Sequence, residues 1–219
     1  MNDATQKSSS VFLLVSIVVG VLVVFGLIWA ISSGSSNGTV TPNTFNDEKS
    51  PRIGAENPEL VIHVFEDFEC PACRSAEIGF RHALQAYGDR VQFVWKDFPL
   101  QSIHRNALNA SNAARCAQEQ GKFWEYHDRL YDDQPTWAEL PDPTTTFKNY
   151  ASALALDVDA WSSCYSERRY QADVLNDVRE AESLQLNGTP TSFIGEKVIS
   201  QVLSPSNWDT EIQSALTTK

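Results

Sequence analysis

The hydrophobic and polar positions divide the chain into three parts. Residues 11–31 are apolar and uncharged, residues 32–52 are mostly Ser, Gly, Thr, Asn and Pro, and periodic apolar positions begin at Ile53. The first part has the ~20 residues that a helix needs to cross a bilayer, and the second has the composition of a flexible tether. The pattern therefore predicts a transmembrane anchor at 11–31 and a flexible linker at 32–52.

The charges around the predicted anchor indicate its orientation. Lys7 and the free amine precede it, and the nearest positive charges beyond it are Lys49 and Arg52. By the positive-inside rule, the tail of residues 1–10 lies in the cytoplasm and the rest of the chain lies outside. A cleaved signal peptide with residues 30–32 as its cleavage site is the alternative, although its apolar core normally runs only ~7 to 15 residues. We expect a single-pass protein of the cell membrane.

The chain from residue 53 to residue 219 begins with a strand, a helix and a second strand. An apolar run starts at Leu60, the next apolar positions recur with a helical period up to Gly88, and Val91–Trp95 reads as a strand. Strands and a helix in this order predict a βαβ unit with parallel pairing.

The remainder of the domain changes character twice. Residues 101–184 read as one helix after another, with prolines at 135, 141 and 143 as breaks. Thr191–Val202 reads as a hairpin, and Ser204 or Ser206 can cap a last helix. The fold class is therefore α/β, with a helical block inserted into a strand-rich domain.

Two closely spaced cysteines lie where the first strand gives way to the helix. Cys70 falls at the first helical turn, where unpaired N–H groups and the helix dipole favour thiolate over thiol. Pro71 suits the first helical position because it has no N–H, and Cys73 returns beside Cys70 one turn later. We predict that Cys70 is the partly exposed nucleophile and that Cys73 is the largely buried resolving thiol.

A lone pair of this spacing is also compatible with half of a zinc site or with two unreactive thiols. Zinc needs two further ligands, usually a second close Cys or His pair. Cys116 and Cys164 stand alone, and the four histidines show no paired spacing. We therefore interpret the pair as a redox site and expect no metal or other cofactor. His127, on the inward face of its helix, is interpreted as structural.

Three segments in this order resemble the DsbA-like branch of the thioredoxin superfamily, in its form anchored to bacterial membranes: FEDFECPACR, CAQEQGKFWEYHDRLY and GTPTSFIG. The resemblance covers about residues 53–216. It implies a thioredoxin core with an inserted helical domain at about 101–184. It also implies that Cys70 and Cys73 exchange disulfides with exported proteins.

The resemblance assigns further residues to the site. Pro71 and Ala72 separate the two cysteines, and Thr189-Pro190, joined by a cis bond, is the loop that faces them. Glu66 is a neighbour of the site in sequence. These residues are the expected surroundings of the reactive sulfurs.

One position departs from the family pattern. Relatives often carry a buried glutamate six residues before the first cysteine, and this position is Val64 here. Glu66, Asp67 and Glu69 are close in sequence but lie on different phases of the strand and turn. Nearby carboxylates raise the pKa of a thiol, so these groups are expected to oppose ionisation of Cys70.

The resemblance also implies a second, structural disulfide, between Cys116 and Cys164. Free buried cysteines that pack as small apolar residues are the alternative. Disulfides persist outside the cytoplasm, which favours the bonded form in an exported domain. Closing this loop stabilises the domain by roughly 4 kcal/mol in the chain-entropy model.

The sequence therefore predicts a membrane-tethered thiol-disulfide oxidoreductase that introduces disulfides into exported, cysteine-containing proteins. A membrane thiol oxidase, DsbB-like or quinone-linked, is the expected recycling partner. The alternatives are a disulfide isomerase or reductase, which Ala72 between the cysteines does not distinguish, and a non-enzymatic metal-binding or copper-delivery module. The formal net charge of −11 argues against nucleic acid as a partner.

Overall fold

The computed structural model describes residues 45–218. The predicted tail at 1–10 and the predicted anchor at 11–31 lie outside these residues. Within residues 45–218, every helix is too short or too polar to cross a membrane.

The described chain forms a mixed five-stranded sheet with helices around it. The strands are β1 (Arg52–Gly54), β2 (Leu60–Glu66), β3 (Val91–Asp97), β4 (Thr191–Ile194) and β5 (Lys197–Ile199). The helices are α1 (Pro71–Tyr87), α2 (Ala107–Gln118), α3 (Phe123–Asp132), α4 (Gln134–Trp137), α5 (Thr144–Ala153), α6 (Val158–Ser166), α7 (Gln171–Ser183) and α8 (Pro205–Thr217).

The sheet places β2 at its centre. The strand order is β1-β3-β2-β4-β5, with β2 and β3 parallel and the other pairs antiparallel. In β2 and β3 the paired residues Ile62 and Phe93 are fully buried. Helix α1 joins these two strands, so the predicted βαβ unit with parallel pairing is confirmed. The predicted hairpin is β4 and β5, and Ser204 caps α8.

Helices α2 to α7 lie between β3 and β4 along the chain, in the range where the sequence predicts a helical block. Aromatic rings fill the space among them: Tyr126 stacks on Trp161 with ring centroids 6.0 Å apart, and Trp137 meets Phe147 edge-on at 5.2 Å. The side chains of these helices therefore pack against one another in an apolar interior.

A disulfide joins two of these helices. Cys116 in α2 and Cys164 in α6 have an S–S distance of 1.97 Å and a Cα–Cα distance of 5.8 Å. This separation is below the ~7 Å beyond which a bridge would require backbone movement. The structure thus contains the pairing that the family resemblance implies.

The described residues include the last part, 45–52, of the predicted flexible linker, and residues 32–44 lie outside them. Phe45 stacks on His63 with ring centroids 3.8 Å apart, and the buried amine of Lys96 donates to the Asn46 carbonyl at 2.8 Å. The prediction is therefore wrong for residues 45–52. Composition alone missed the contact because one aromatic ring and one backbone carbonyl are enough to fix this polar stretch on the domain.

Candidate active site

The turn after β2 delivers the first cysteine to the helix. The Asp67 carbonyl accepts from the Cys70 N–H at 3.0 Å, and the Asp67 carboxylate accepts from the Glu69 N–H at 2.8 Å. Cys70 then occupies the N-cap of α1 in an extended conformation, with Pro71 as the first helical residue. The predicted strand-to-helix placement of the pair is confirmed.

The two sulfurs are free thiols, and both are largely covered. Cys70 is 7% exposed and Cys73 is fully buried. The prediction of a partly exposed Cys70 is therefore wrong in degree, because the Thr189 carbonyl lies 3.6 Å from its sulfur. The expected order of exposure, Cys70 above Cys73, agrees with the structure.

The site makes the two thiols electrostatically unequal. The Cys73 thiol donates a hydrogen bond to the Cys70 sulfur, and so do the N–H groups of Cys73 and Ala72. These bonds lower the pKa of Cys70 to about 5. Burial raises the pKa of Cys73 well above its ordinary value, and the hydrogen bond to Cys70 adds to this effect. The site therefore favours a Cys70 thiolate beside a protonated Cys73.

The Thr189-Pro190 peptide bond is cis, as the resemblance implies. Pro190 directly precedes β4, which pairs with β2, and this pairing brings Thr189 against Cys70. The sheet thus gathers residues that are far apart in the sequence.

Glu66 ends β2 as a buried carboxyl group. The Tyr131 hydroxyl of α3 donates to it at 2.7 Å. Burial, together with the charges of Cys70 and Asp67, raises the pKa of Glu66 to about 8. The charge of Glu66 in turn raises the pKa of Cys73. Tyr131 is recognisable in the sequence as an inward-facing residue, but its contact with Glu66 depends on tertiary packing.

A second buried carboxyl group, Glu77, lies one turn after Cys73 in α1. Its pKa is raised to about 7 by burial. His127 lies with one ring nitrogen 3.7 Å from Glu77 and the other 3.0 Å from Asp128. Its ring also packs edge-on against Trp95, with centroids 5.0 Å apart. These contacts support a structural role for His127.

The trio Glu77, His127 and Asp128 also has spacing that could hold a metal ion. The Arg81 guanidinium lies 3.5 Å from Glu77 and 3.6 Å from Asp128. A positive charge therefore already balances these carboxylates, and the histidine directs its two nitrogens to different partners. The arrangement fits a hydrogen-bonded ion cluster better than a metal site.

The loop from β3 to α2 holds the other side of the active-site turn. The Asp67 carboxylate accepts from the Leu100 N–H at 2.8 Å and lies 2.7 Å from His104 Nδ1. The Glu69 carboxylate accepts from the Asn106 N–H at 2.6 Å. No pattern in the sequence places His104 at the site, because the connection runs through a tertiary contact with Asp67.

A comparison with known proteins agrees with this geometry. The family model described as thioredoxin matches residues 46–214. The chain belongs to the thioredoxin family. Among solved structures, α-DsbA1 of Wolbachia pipientis is similar to it with a TM-score of 0.68 and 17% identity, over 83% of this chain and 94% of that one. The family match confirms the predicted thioredoxin superfamily, and the likeness to α-DsbA1 is one of fold.

Two curated relatives differ in how much of their own length they share with this thioredoxin-family chain. The probable disulfide bond formation protein D of Bacillus anthracis is 24% identical, over 79% of this chain and 87% of its own length. The Na(+)/H(+) antiporter NhaA 3 of Salinispora tropica is 38% identical over 68% of this chain. The chain spans about a fifth of the antiporter, 22% of its length, so the likeness is to one part of that protein.

Proposed function

We propose that this protein is a membrane-tethered thiol-disulfide oxidoreductase that donates a Cys70–Cys73 disulfide to exported proteins. The observation that carries the proposal is the inequality of the two sulfurs. The pKa of Cys70 is lowered to about 5 next to a Cys73 whose pKa is raised. Disulfide donation is favoured by an outer thiolate that leaves readily and by an inner thiol that stays protonated.

The exchange has two steps. A substrate thiolate attacks Cys70 Sγ, the Cys70–Cys73 bond breaks, and Cys73 leaves as a thiolate and takes up a proton. A second substrate thiolate then attacks the substrate sulfur of the mixed disulfide and releases the Cys70 thiolate. The substrate loses two electrons, the Cys70–Cys73 pair gains them, and the substrate acquires its disulfide.

The low pKa of Cys70 favours this direction. Lowering the pKa of Cys70 from 9.0 to about 5 stabilises the reduced form of the protein relative to its disulfide form. At pH 7 the equilibrium constant between the two forms changes by about two powers of ten. Two powers of ten correspond to about 2.7 kcal/mol, or roughly 60 mV for a two-electron couple. The reduced protein is stabilised to that extent, which makes its disulfide more oxidising.

Glu66 is the proposed proton donor and acceptor for Cys73. Cys73 is fully buried, so its proton has to come from a neighbouring protein group. Glu66 has a pKa of about 8 and is mostly protonated near neutral pH, while Tyr131 fixes its carboxyl group. In this proposal Glu66 takes the place of the family glutamate that Val64 replaces.

The proposal extends to location and partners. Residues 11–31 anchor the protein in the cell membrane, residues 1–10 remain in the cytoplasm, and the domain from residue 53 acts outside. Each donated disulfide leaves the enzyme reduced, so a membrane thiol oxidase, DsbB-like or quinone-linked, restores it. The substrates are unfolded or partly folded exported proteins with cysteines.

A peptide-oxidation assay with the purified full-length protein tests this proposal. The oxidised protein should convert a dithiol peptide to its disulfide in one equivalent, and Cys70→Ser should abolish the reaction. Insulin reduction run in parallel detects a reductase, and rearrangement of a wrongly bonded peptide detects an isomerase. Stoichiometric metal in the purified protein together with no exchange activity would instead favour the metal-binding module.

A further inference from the structure

The turn before Cys70 is rich in acidic residues. Glu66, Asp67 and Glu69 precede Cys70, and the first two of these carboxyl groups are almost fully buried. The dipeptide between the cysteines, Pro71-Ala72, carries no charge of its own. A thiolate at Cys70 adds a negative charge close to the Asp67 and Glu69 carboxylates, so a nearby cation would stabilise it.

His104 lies next to this group on the loop between β3 and α2. Its Nδ1 is 2.7 Å from the Asp67 carboxylate, which is fully buried, while the histidine side chain is 15% exposed. The Asp67 carboxylate also accepts from the N–H groups of Glu69 and Leu100. Three partners therefore fix this carboxylate, and the carboxylate in turn fixes the imidazole.

Asp67 also controls the position of Cys70. Its carbonyl accepts from the Cys70 N–H at 3.0 Å. One residue thus holds the imidazole through its side chain and the reactive cysteine through its backbone. The two groups are kept at the same end of α1.

We propose that the His104 imidazolium, held by Asp67, is the electrostatic partner that stabilises the Cys70 thiolate. The inference rests on the proposed function, and it assigns His104 a positioning role in which it need not touch the substrate. The cation comes from a separate loop of the fold, since the Pro71-Ala72 dipeptide supplies none.

The charges around His104 all act in one direction. The hydrogen bond to Asp67 raises its pKa, and the negative charges of Asp67, Cys70 and Glu69 raise it further against the opposing effect of burial. Each of these groups favours the imidazolium form.

The interaction has to be reciprocal. If His104 stabilises the thiolate, then the thiolate stabilises the imidazolium by the same factor. Oxidation of Cys70 to a disulfide removes the thiolate charge, so the pKa of His104 should fall on oxidation. The imidazole therefore reports the redox state of the cysteine pair.

The first test titrates the Cys70 thiolate by its ultraviolet absorbance in full-length reduced protein and in three variants. His104→Gln removes the charge, His104→Lys replaces it, and His82→Gln is the matched control because His82 pairs with Asp209 on the surface at 2.9 Å. We expect His104→Gln to raise the midpoint by about one pH unit, a tenfold change in ionisation. His104→Lys should return the midpoint most of the way to the wild-type value, and His82→Gln should leave the midpoint unchanged. An unchanged midpoint in His104→Gln, or equal shifts in the Gln and Lys variants, would overturn the proposal.

A second test needs no substitution at His104. Imidazole proton resonances of the wild-type protein are followed against pH in the reduced and oxidised states. His104 should titrate at higher pH in the reduced state, and His82 should titrate alike in both. Equal values for His104 in the two states would overturn the proposal. Peptide oxidation measured in parallel separates the two claims: normal exchange without coupling rejects the role of His104 alone, whereas coupling without exchange rejects the proposed function alone.

Discussion

The protein contains two pairs of cysteines that are equally buried and chemically different. Cys70 and Cys73 are 7% and 0% exposed, and Cys116 and Cys164 are 1% and 0% exposed. The first pair is reduced and the second is bonded. Exposure therefore does not distinguish a reactive pair from a structural one in this fold.

The surroundings of the two pairs do distinguish them. Cys70 lies at a helix N-terminus, where N–H groups and a neighbouring thiol lower its pKa. Cys116 lies near the end of α2 among small apolar side chains, including Ala113 and Ala117. Reactivity follows the polar groups aimed at the sulfur, whereas a structural bond depends on the packing around it.

The largest difference between the pairs should appear in catalysis. Cys70→Ser removes the sulfur that substrate attacks and should lower the rate of peptide oxidation by at least ~10³-fold. Replacing Cys116 and Cys164 together by Ala should change that rate by less than about twofold, since neither sulfur lies at the site. An equal loss of rate in both variants would show that the two pairs are not functionally separate.

Stability should show the opposite sensitivity. Replacing Cys116 and Cys164 by Ala should lower the free energy of unfolding by about 2 to 4 kcal/mol, because the unfolded chain regains the freedom that the closed loop removes. The measurement is urea unfolding of the oxidised protein. The matched control replaces Cys70 and Cys73 by Ala. A double variant at 116 and 164 as stable as wild type would remove the structural role of that bond.

The pH dependence of stability sharpens the contrast further. The pKa of Cys70 is about 5 in the folded protein against 9.0 in an ordinary thiol. Ionisation of Cys70 therefore stabilises the folded state, fully above pH 9, and this contribution to stability is lost progressively as the pH falls to 5. The stability of the reduced protein relative to the oxidised protein should therefore rise between pH 5 and pH 7. A flat difference across this range would contradict the lowered pKa.

The smallest expected effect concerns Glu66. Glu66→Gln keeps the shape of the side chain but removes the proton exchange proposed for Cys73, and it should slow formation of the mixed disulfide, the step in which Cys73 leaves, by about tenfold. Tyr131→Phe removes the donor that lowers the pKa of Glu66, so the pH midpoint of this step should move upward from about 8. Stopped-flow kinetics across pH measure both. An unchanged pH profile in Glu66→Gln would assign the proton step to another group.

The sequence predicted the parts of the protein that depend on local pattern. The βαβ unit, the N-terminal position of Cys70 in α1 and the β4–β5 hairpin follow from periodicity, Pro71 and the turn residues. The cis bond before Pro190 and the pairing of Cys116 with Cys164 came from family resemblance, because neither spacing nor composition determines them.

The missed features all depend on tertiary contacts. Glu66 is the last residue of a strand that is buried on both faces, so its partner Tyr131 could be identified only once α3 was placed. His104 joins the site through Asp67, and Phe45, which lies in the stretch predicted as linker, stacks on His63. In each case one contact between distant residues outweighs the local composition.

Redox equilibrium of the two pairs tests the central claim most directly. The full-length protein is equilibrated in glutathione buffers of graded composition, alkylated, and its four cysteines are quantified by peptide mass spectrometry. We predict that Cys70 and Cys73 convert together between disulfide and thiols across this range, while Cys116–Cys164 stays bonded throughout. Reduction of Cys116–Cys164 in the same or a less reducing buffer than Cys70–Cys73 would contradict the division into one catalytic and one structural pair.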